Sequence, residues 1–145
     1  MAIFLTILSG VSVFVLGQFI LKLSLEPIVS FKESLGALSA FCLRNRAKIS
    51  NANASIEMQN EMQQIISTII SKRQSIPMYS FFSLILRLPS EKRIIEGCRA
   101  LNGVSAKMVK DNSQSQVPLN VPITILMELE RVSELFGVRL DFKEI

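Results

Sequence analysis

The first 21 residues carry no ionisable side chain, and all 16 basic and 12 acidic residues lie at or after Lys22. Residues 2–21 read AIFLTILSGVSVFVLGQFIL. As a helix rising about 1.5 Å per residue, this run covers about 30 Å, the thickness of a bilayer's hydrocarbon core. The expectation is a transmembrane helix over residues 1–22. Two alternatives fit less well. A cleavable signal peptide wants a basic n-region and an A-x-A-like cleavage site, and neither is present. A buried soluble helix is the other alternative, and an uncharged stretch this long at the extreme terminus does not suit it.

The flanking charges set an expected orientation. Lys22, Lys32, Arg44, Arg46 and Lys48 follow the run, against Glu26 and Glu33, and only the α-amino group precedes it. The positive-inside rule then predicts a single-pass protein with its N-terminus outside and the rest of the chain in the cytoplasm. Lys22 is expected to snorkel to the headgroups. Arg44, Arg46, Lys48, Lys72 and Arg73 are the other candidate lipid or phosphate contacts, each worth about 1 kcal/mol near an anionic surface. The plain alternative for them is a solvated helix face.

Within the span, Ile3, Gly10 and Gly17 recur every seven residues, with Thr6 and Val13 between them. Small residues let helix backbones approach closely, and Gln18 can hydrogen-bond to a neighbouring helix or to water. Thr6, Gly10, Gly17 and Gln18 are therefore candidates for self-association or for lining a pore. No G-x-x-x-G is present.

Beyond the span the pattern is helical throughout. Glu26-Pro27 starts a new helix or kinks a continuous one. Ile28, Phe31, Leu35, Leu38 and Cys42 then follow a 3-4-3-4 spacing, one apolar face of a juxtamembrane helix over 23–49. That face packs into a core, or it forms a self-associating stalk in which Ile28, Phe31, Leu35 and Leu38 touch a second copy. Residues 50–145 read as a helical cytoplasmic domain. The turn Ser50–Asn53 leads to a helix over 54–73 with Met58, Met62, Ile65, Ile66, Ile69 and Ile70 as its apolar positions. Pro77 stops it.

Met78–Leu88 is the most apolar part of the body and too short to span, so a core helix is expected, with an interfacial or re-entrant helix as the alternative. Ser90 looks like an N-cap, with Ile94, Ile95, Cys98, Leu101, Val104 and Met108 along one face behind it. Residues 111–120 read as a flexible loop. Asn120 and Pro122 open a last helix bearing Ile125, Leu126, Leu129, Val132 and Phe136, which Gly137 ends. Residues 138–145 form a short strand or a tail. The whole is expected to be all-α: one transmembrane helix followed by an antiparallel helical bundle.

Little in the chain carries chemistry. With no histidine, a Ser-His-Asp or Cys-His nucleophile and an HExxH zinc site are excluded. Cys42 and Cys98 sit singly at apolar helical positions and read as reduced, buried small hydrophobes. The six glycines are scattered, so no phosphate-cradling loop forms. Glu130 and Glu134 share an ordinary solvated face. The clusters Arg44–Lys48, Lys72-Arg73 and Lys92-Arg93 could bind phosphate, but solvated faces are their default reading. The absence of tryptophan and a single tyrosine argue against a nucleic-acid partner that stacks its bases. No cofactor, metal or catalytic activity is expected.

Two resemblances bear on these expectations. Gly17-Gln18, Lys22, Glu26-Pro27-Ile28, Lys32 and Gly36 resemble the opening of a family of uncharacterised bacterial single-span membrane proteins. Arg73, Ile76-Pro77, Tyr79, Leu88-Pro89-Ser90, Ala100-Leu101, Gly103 and Ser105 continue it, so that residues 1–108 are covered. That family has no established activity to carry over. In layout alone, the chain is similar to small membrane effectors of antiviral systems, such as the single-span accessory protein of type VI-B CRISPR systems. That resemblance implies a pore-like oligomer. Members with a HEPN-like domain can carry an Arg-x4-6-His ribonuclease motif, which this chain lacks.

The functional expectation is a membrane-anchored, self-associating interaction or effector protein, partnered by the lipid bilayer and by copies of itself. The alternative is a non-catalytic scaffold that tethers a cytoplasmic protein partner.

Overall fold

Pro27 sits inside a helix, where it cannot donate to the carbonyl of Leu23 and its ring crowds that carbonyl. In the computed structural model the chain answers by widening one turn rather than stopping. The structure describes residues 1–109, 118 and 120–140. Helix α1 (Ala2–Ile20) passes through a π-helical turn at Leu21–Leu25 into α2 (Glu26–Arg44). The Glu26 N–H reaches back to the Leu21 carbonyl, the i→i−5 bond of a π-turn. Of the two readings of Glu26-Pro27, the continuous helix is the correct one.

Short α3 (Arg46–Ser50) follows a break at Asn45, then α4 (Ile56–Gln74), α5 (Tyr79–Ile85), α6 (Glu91–Lys107) and α7 (Asn120–Phe136). The chain is all-helical, as its periodicities imply. Two of the caps, Ser90 and Gly137, are those expected from the sequence, and Ser55 is a third that was not. Ser55 accepts from the Met58 N–H and Ser90 from the Arg93 N–H, each satisfying an orphan donor of a first turn. Gly137, at φ +66°, ends α7 with the Gly137 and Val138 N–H groups both turned back to the Ser133 carbonyl.

Side-chain bridges fix the packing order. Arg44 pairs with Glu61 at 3.0 Å, at the end of α2 away from α1. The Gln59 amide donates to the Ser105 carbonyl at 2.9 Å, and Arg73 pairs with Glu91 at 2.5 Å. The Arg93 guanidinium donates to the Glu134 carbonyl, and the Ser39 hydroxyl to the Arg139 carbonyl. These pairings make α2, α4, α6 and α7 successive antiparallel neighbours, α2 and α6 running away from α1. An isolated bridge, Ala54 to Val109, ties the start of α4 to the end of α6.

One apolar core runs from Ile28 to Leu140. Phe31, Leu38, Ile49, Met62, Ile69, Leu101, Val104, Met108, Ile125 and Val132 are each wholly buried. The core draws on α2 as much as on later helices, so residues 23–49 and 50–140 share it. Gly97 permits a close crossing of α6 and α7: a Cβ there would lie 2.3 Å from the Phe136 ring. The expected flexible loop at 111–120 falls mostly outside the described residues, and of the strand or tail expected over 138–145 only 138–140 are described, without strand.

Candidate functional site

Helix α1 has no cover. Residues 3–20 are exposed without exception, including Phe4, Val13, Phe14, Leu16 and Phe19. A stretch of Ile3–Arg44 contains the one described helix long and apolar enough to cross a membrane. An uncovered apolar surface of this size far exceeds what a water-soluble monomer exposes. The hydroxyls on it are satisfied within the helix: Ser9 donates to the Thr6 carbonyl at 2.9 Å and Ser12 to the Leu8 carbonyl at 2.8 Å. Gly10 and Gly17 face open space, with nothing within 4 Å of either Cβ position, and Thr6 and Gln18 are exposed beside them.

The structure divides the expected self-association face. Ile28, Phe31, Leu35 and Leu38 are at most 5% exposed and pack into the chain's own core against α4. They do not form an open stalk. The apolar area of an isolated amphipathic helix looks the same whether its own domain or a second copy covers it. Only the four candidates within α1 remain available.

The candidate cations are separated too. Arg44 stands 22 residues beyond Lys22, about 33 Å along the helix. It is paired with Glu61, and Arg46 and Lys48 follow it in α3, after the break at Asn45. These three belong to the end of the bundle remote from α1, so they are corrected as partners of Lys22 at one lipid surface. Arg73 is closed: its guanidinium pairs with Glu91 at 2.5 Å and lies 5.1 Å from the centre of the Tyr79 ring. Its Nε is buried without a partner. Lys72, next to it, is half-buried near the α1-proximal end of α4.

The Arg73 cluster is structural. Tyr79 stands edge-on to Phe31, and its hydroxyl donates to the Pro89 carbonyl at 2.5 Å. Burial pushes the Tyr79 phenol up to about 12, although the Arg73 charge opposes that shift; Glu91 adds to it. A cleft of about 260 Å³ between α4 and α6, lined by Ile70, Arg73, Gln74, Glu91, Ile95 and Arg99, opens beside it.

Cys42 and Cys98 are buried and free, and desolvation raises their thiols to about 12 and about 11. Thiols held so far from the thiolate are poor nucleophiles. Among the described residues, no group of three or more Cys, Asp or Glu side chains gathers as a metal site.

The Met78–Leu88 segment is the largest correction. The expected core helix is a seven-residue helix with only Tyr79 buried, flanked by buried Ile76, Leu88 and Pro89. Met78, Phe81, Leu84 and Ile85 face out, Leu84 at 82% exposure. A helix apolar on every side gives no moment from which to read its inward face. A second apolar surface lies on α7, where Ile123, Leu126 and Met127 are exposed outside the periodic face that Ile125, Leu129, Val132 and Phe136 bury. Ile70 and Ile95 are also more exposed than their periodic positions imply.

No protein-family model, curated protein or solved structure matches the chain. The resemblances in the sequence thus lend the site no residue roles.

Proposed function

We propose that this chain is a membrane-anchored interaction or effector protein that self-associates through α1. In this reading α1 spans the bacterial inner membrane with its N-terminus outside, and the helical body lies in the cytoplasm. The observation that carries the reading is that α1 is uncovered along its whole length while every helix behind it contributes to one core. The basic residues after the span support the orientation.

Self-association would use the Gly10/Gly17 side, where backbones can approach, with Thr6 and Gln18 as polar groups beside it. A pore-like ring is one form of such an assembly, and an antiviral effector is the setting that its layout suits. Native mass measurement of the full chain in nanodiscs or detergent tests this. Oligomers that Gly10→Leu or Gly17→Leu dissociate would support it. A monomer at every loading would sink it. Dye release from vesicles separates a conducting assembly from a silent one.

A second reading is a non-catalytic scaffold that tethers a cytoplasmic protein. It is favoured by the exposed Ile123–Leu126–Met127 surface of α7, at the end of the bundle remote from α1. A monomeric chain that photo-crosslinks to one protein through Met127 would support this reading over the first.

A further inference from the structure

We propose that α5 is a second membrane contact. Its outer face, Met78, Phe81, Leu84 and Ile85, would seat in the interfacial layer of the same bilayer that α1 crosses. The inference rests on the reading of α1 as a span.

Three observations place α5 at that surface. First, Tyr79 packs on Phe31, and Arg73 and Glu91 join the last turn of α4 to the first of α6. The segment between them is therefore an excursion from the end of the bundle where α2 begins. Second, the body reaches down to the π-turn. Ser24 is buried, whereas Ser9 and Ser12 in the same continuous helix are exposed. Ser24 lies on the face of Ile28 and Phe31, and only one residue separates it from Lys22. A body that covers Ser24 has no room to stand off from a bilayer whose headgroups meet Lys22.

Third, the chemistry of the segment is that of an interface. Residues 74–86 hold no charge, and the first cation after them, Arg87, is exposed. Large apolar side chains that seat about 5–10 Å deep, with a cation at headgroup level, are the pattern of a shallow interfacial helix. Lys22 and Arg87 would flank it on the phosphate layer. A docked protein needs hydrogen-bonding groups around the contact, and between Met78 and Leu86 the polar side chains at the surface are serine hydroxyls, of which Ser83 already donates to the Ser80 carbonyl at 2.9 Å. The seat ties the body to the membrane at two points and so fixes its orientation relative to the span.

The chain lacks tryptophan, so single tryptophans report depth without background. Phe81→Trp and Leu84→Trp would be compared with Phe14→Trp in the span and Ile56→Trp at the remote end of the bundle. Each full-length variant is reconstituted in phosphatidylethanolamine–phosphatidylglycerol vesicles. Quenching is read with lipids brominated near the carbonyl or deep in the chain, and with aqueous iodide. The expected result is that Phe81→Trp and Leu84→Trp are quenched by the shallow bromines and shielded from iodide. Ile56→Trp should respond to iodide alone. Iodide quenching of both α5 probes would overturn the proposal, because the face would then be in water. Shielding from every quencher would also overturn it, in favour of a protein covering the face. Iodide quenching at Phe14→Trp would instead remove the span itself, so the two failures are distinguishable.

Discussion

The ring of Tyr79 meets the ring of Phe31 edge-on, with 6.0 Å between centroids at an angle of 84°. This contact joins α5 to the first turns of α2. It is backed on one side by the Arg73 guanidinium and closed at the far end by the bond from the Tyr79 hydroxyl to the Pro89 carbonyl. Tyr79→Phe keeps the ring and leaves the Pro89 carbonyl unpaired, at a cost of about 1–3 kcal/mol. Tyr79→Ala also removes the ring and should cost about 3–5 kcal/mol. Denaturant unfolding of the full chain in detergent should rank wild type above Phe above Ala. Equal losses for both variants would show that the hydroxyl, not the ring, holds α5.

Gly97 and Phe136 set the α6–α7 crossing. A methyl at position 97 would fall 2.3 Å from the nearest Phe136 ring carbon, so the ring or the helix must shift. Gly97→Ala should destabilise by about 1–3 kcal/mol, an overpacking effect that outweighs the helix propensity gained. Phe136→Leu in the same chain should recover part of that loss. The coupling is read from a double-mutant cycle. Additive losses would mean that the two positions do not share the strain.

These contacts mark the limit of what periodicity gives. The faces of α2, α4, α6 and α7 were legible because polar residues alternate with apolar ones at helical spacing, and Ser90 and Gly137 signalled their ends chemically. Gly97 gave no sign: a glycine in mid-helix reads as a weak helix former until its neighbour is known. Alpha-5 was legible as a helix but not in its orientation, since Phe81, Phe82, Leu84 and Ile85 leave no polar side to turn outward. The 3-4-3-4 face at Ile28–Leu38 was legible as apolar, but its occupant was not. That depended on α4 folding back along it, which is a tertiary fact.

Arg87 is held at φ +51°, in the left-handed region that a β-carbon disfavours. It closes α5 where glycine is usual, with the Leu88 N–H turned back to the Ser83 carbonyl at 3.0 Å. Arg87→Gly should therefore stabilise the folded body in detergent by about 1 kcal/mol, net of the flexibility that glycine adds to the unfolded chain. A lower unfolding midpoint would show that the arginine side chain contributes more to the body than its backbone strain costs.

Burial raises the Cys42 thiol from 9.0 to about 12, the Cys98 thiol from 9.0 to about 11, and the Tyr79 phenol from 10.0 to about 12. All three groups hold their protons more tightly when folded. Below about pH 8 both states keep these protons, and the contribution to stability is complete. As pH rises past 9, the unfolded chain releases protons that the folded chain retains, so stability falls until the folded groups titrate near 11 and 12. We expect the denaturant midpoint to drop steadily from pH 8 to pH 10.5. The Cys42→Ala/Cys98→Ala chain should show a shallower slope, whatever its starting stability. At pH 8, maleimide should label the native thiols far more slowly than those of the unfolded chain, because reaction waits on opening of the core. Labelling of the folded chain at the rate of a free thiol, or a midpoint indifferent to pH over this range, would show that α2 and α6 do not seal these two side chains from water.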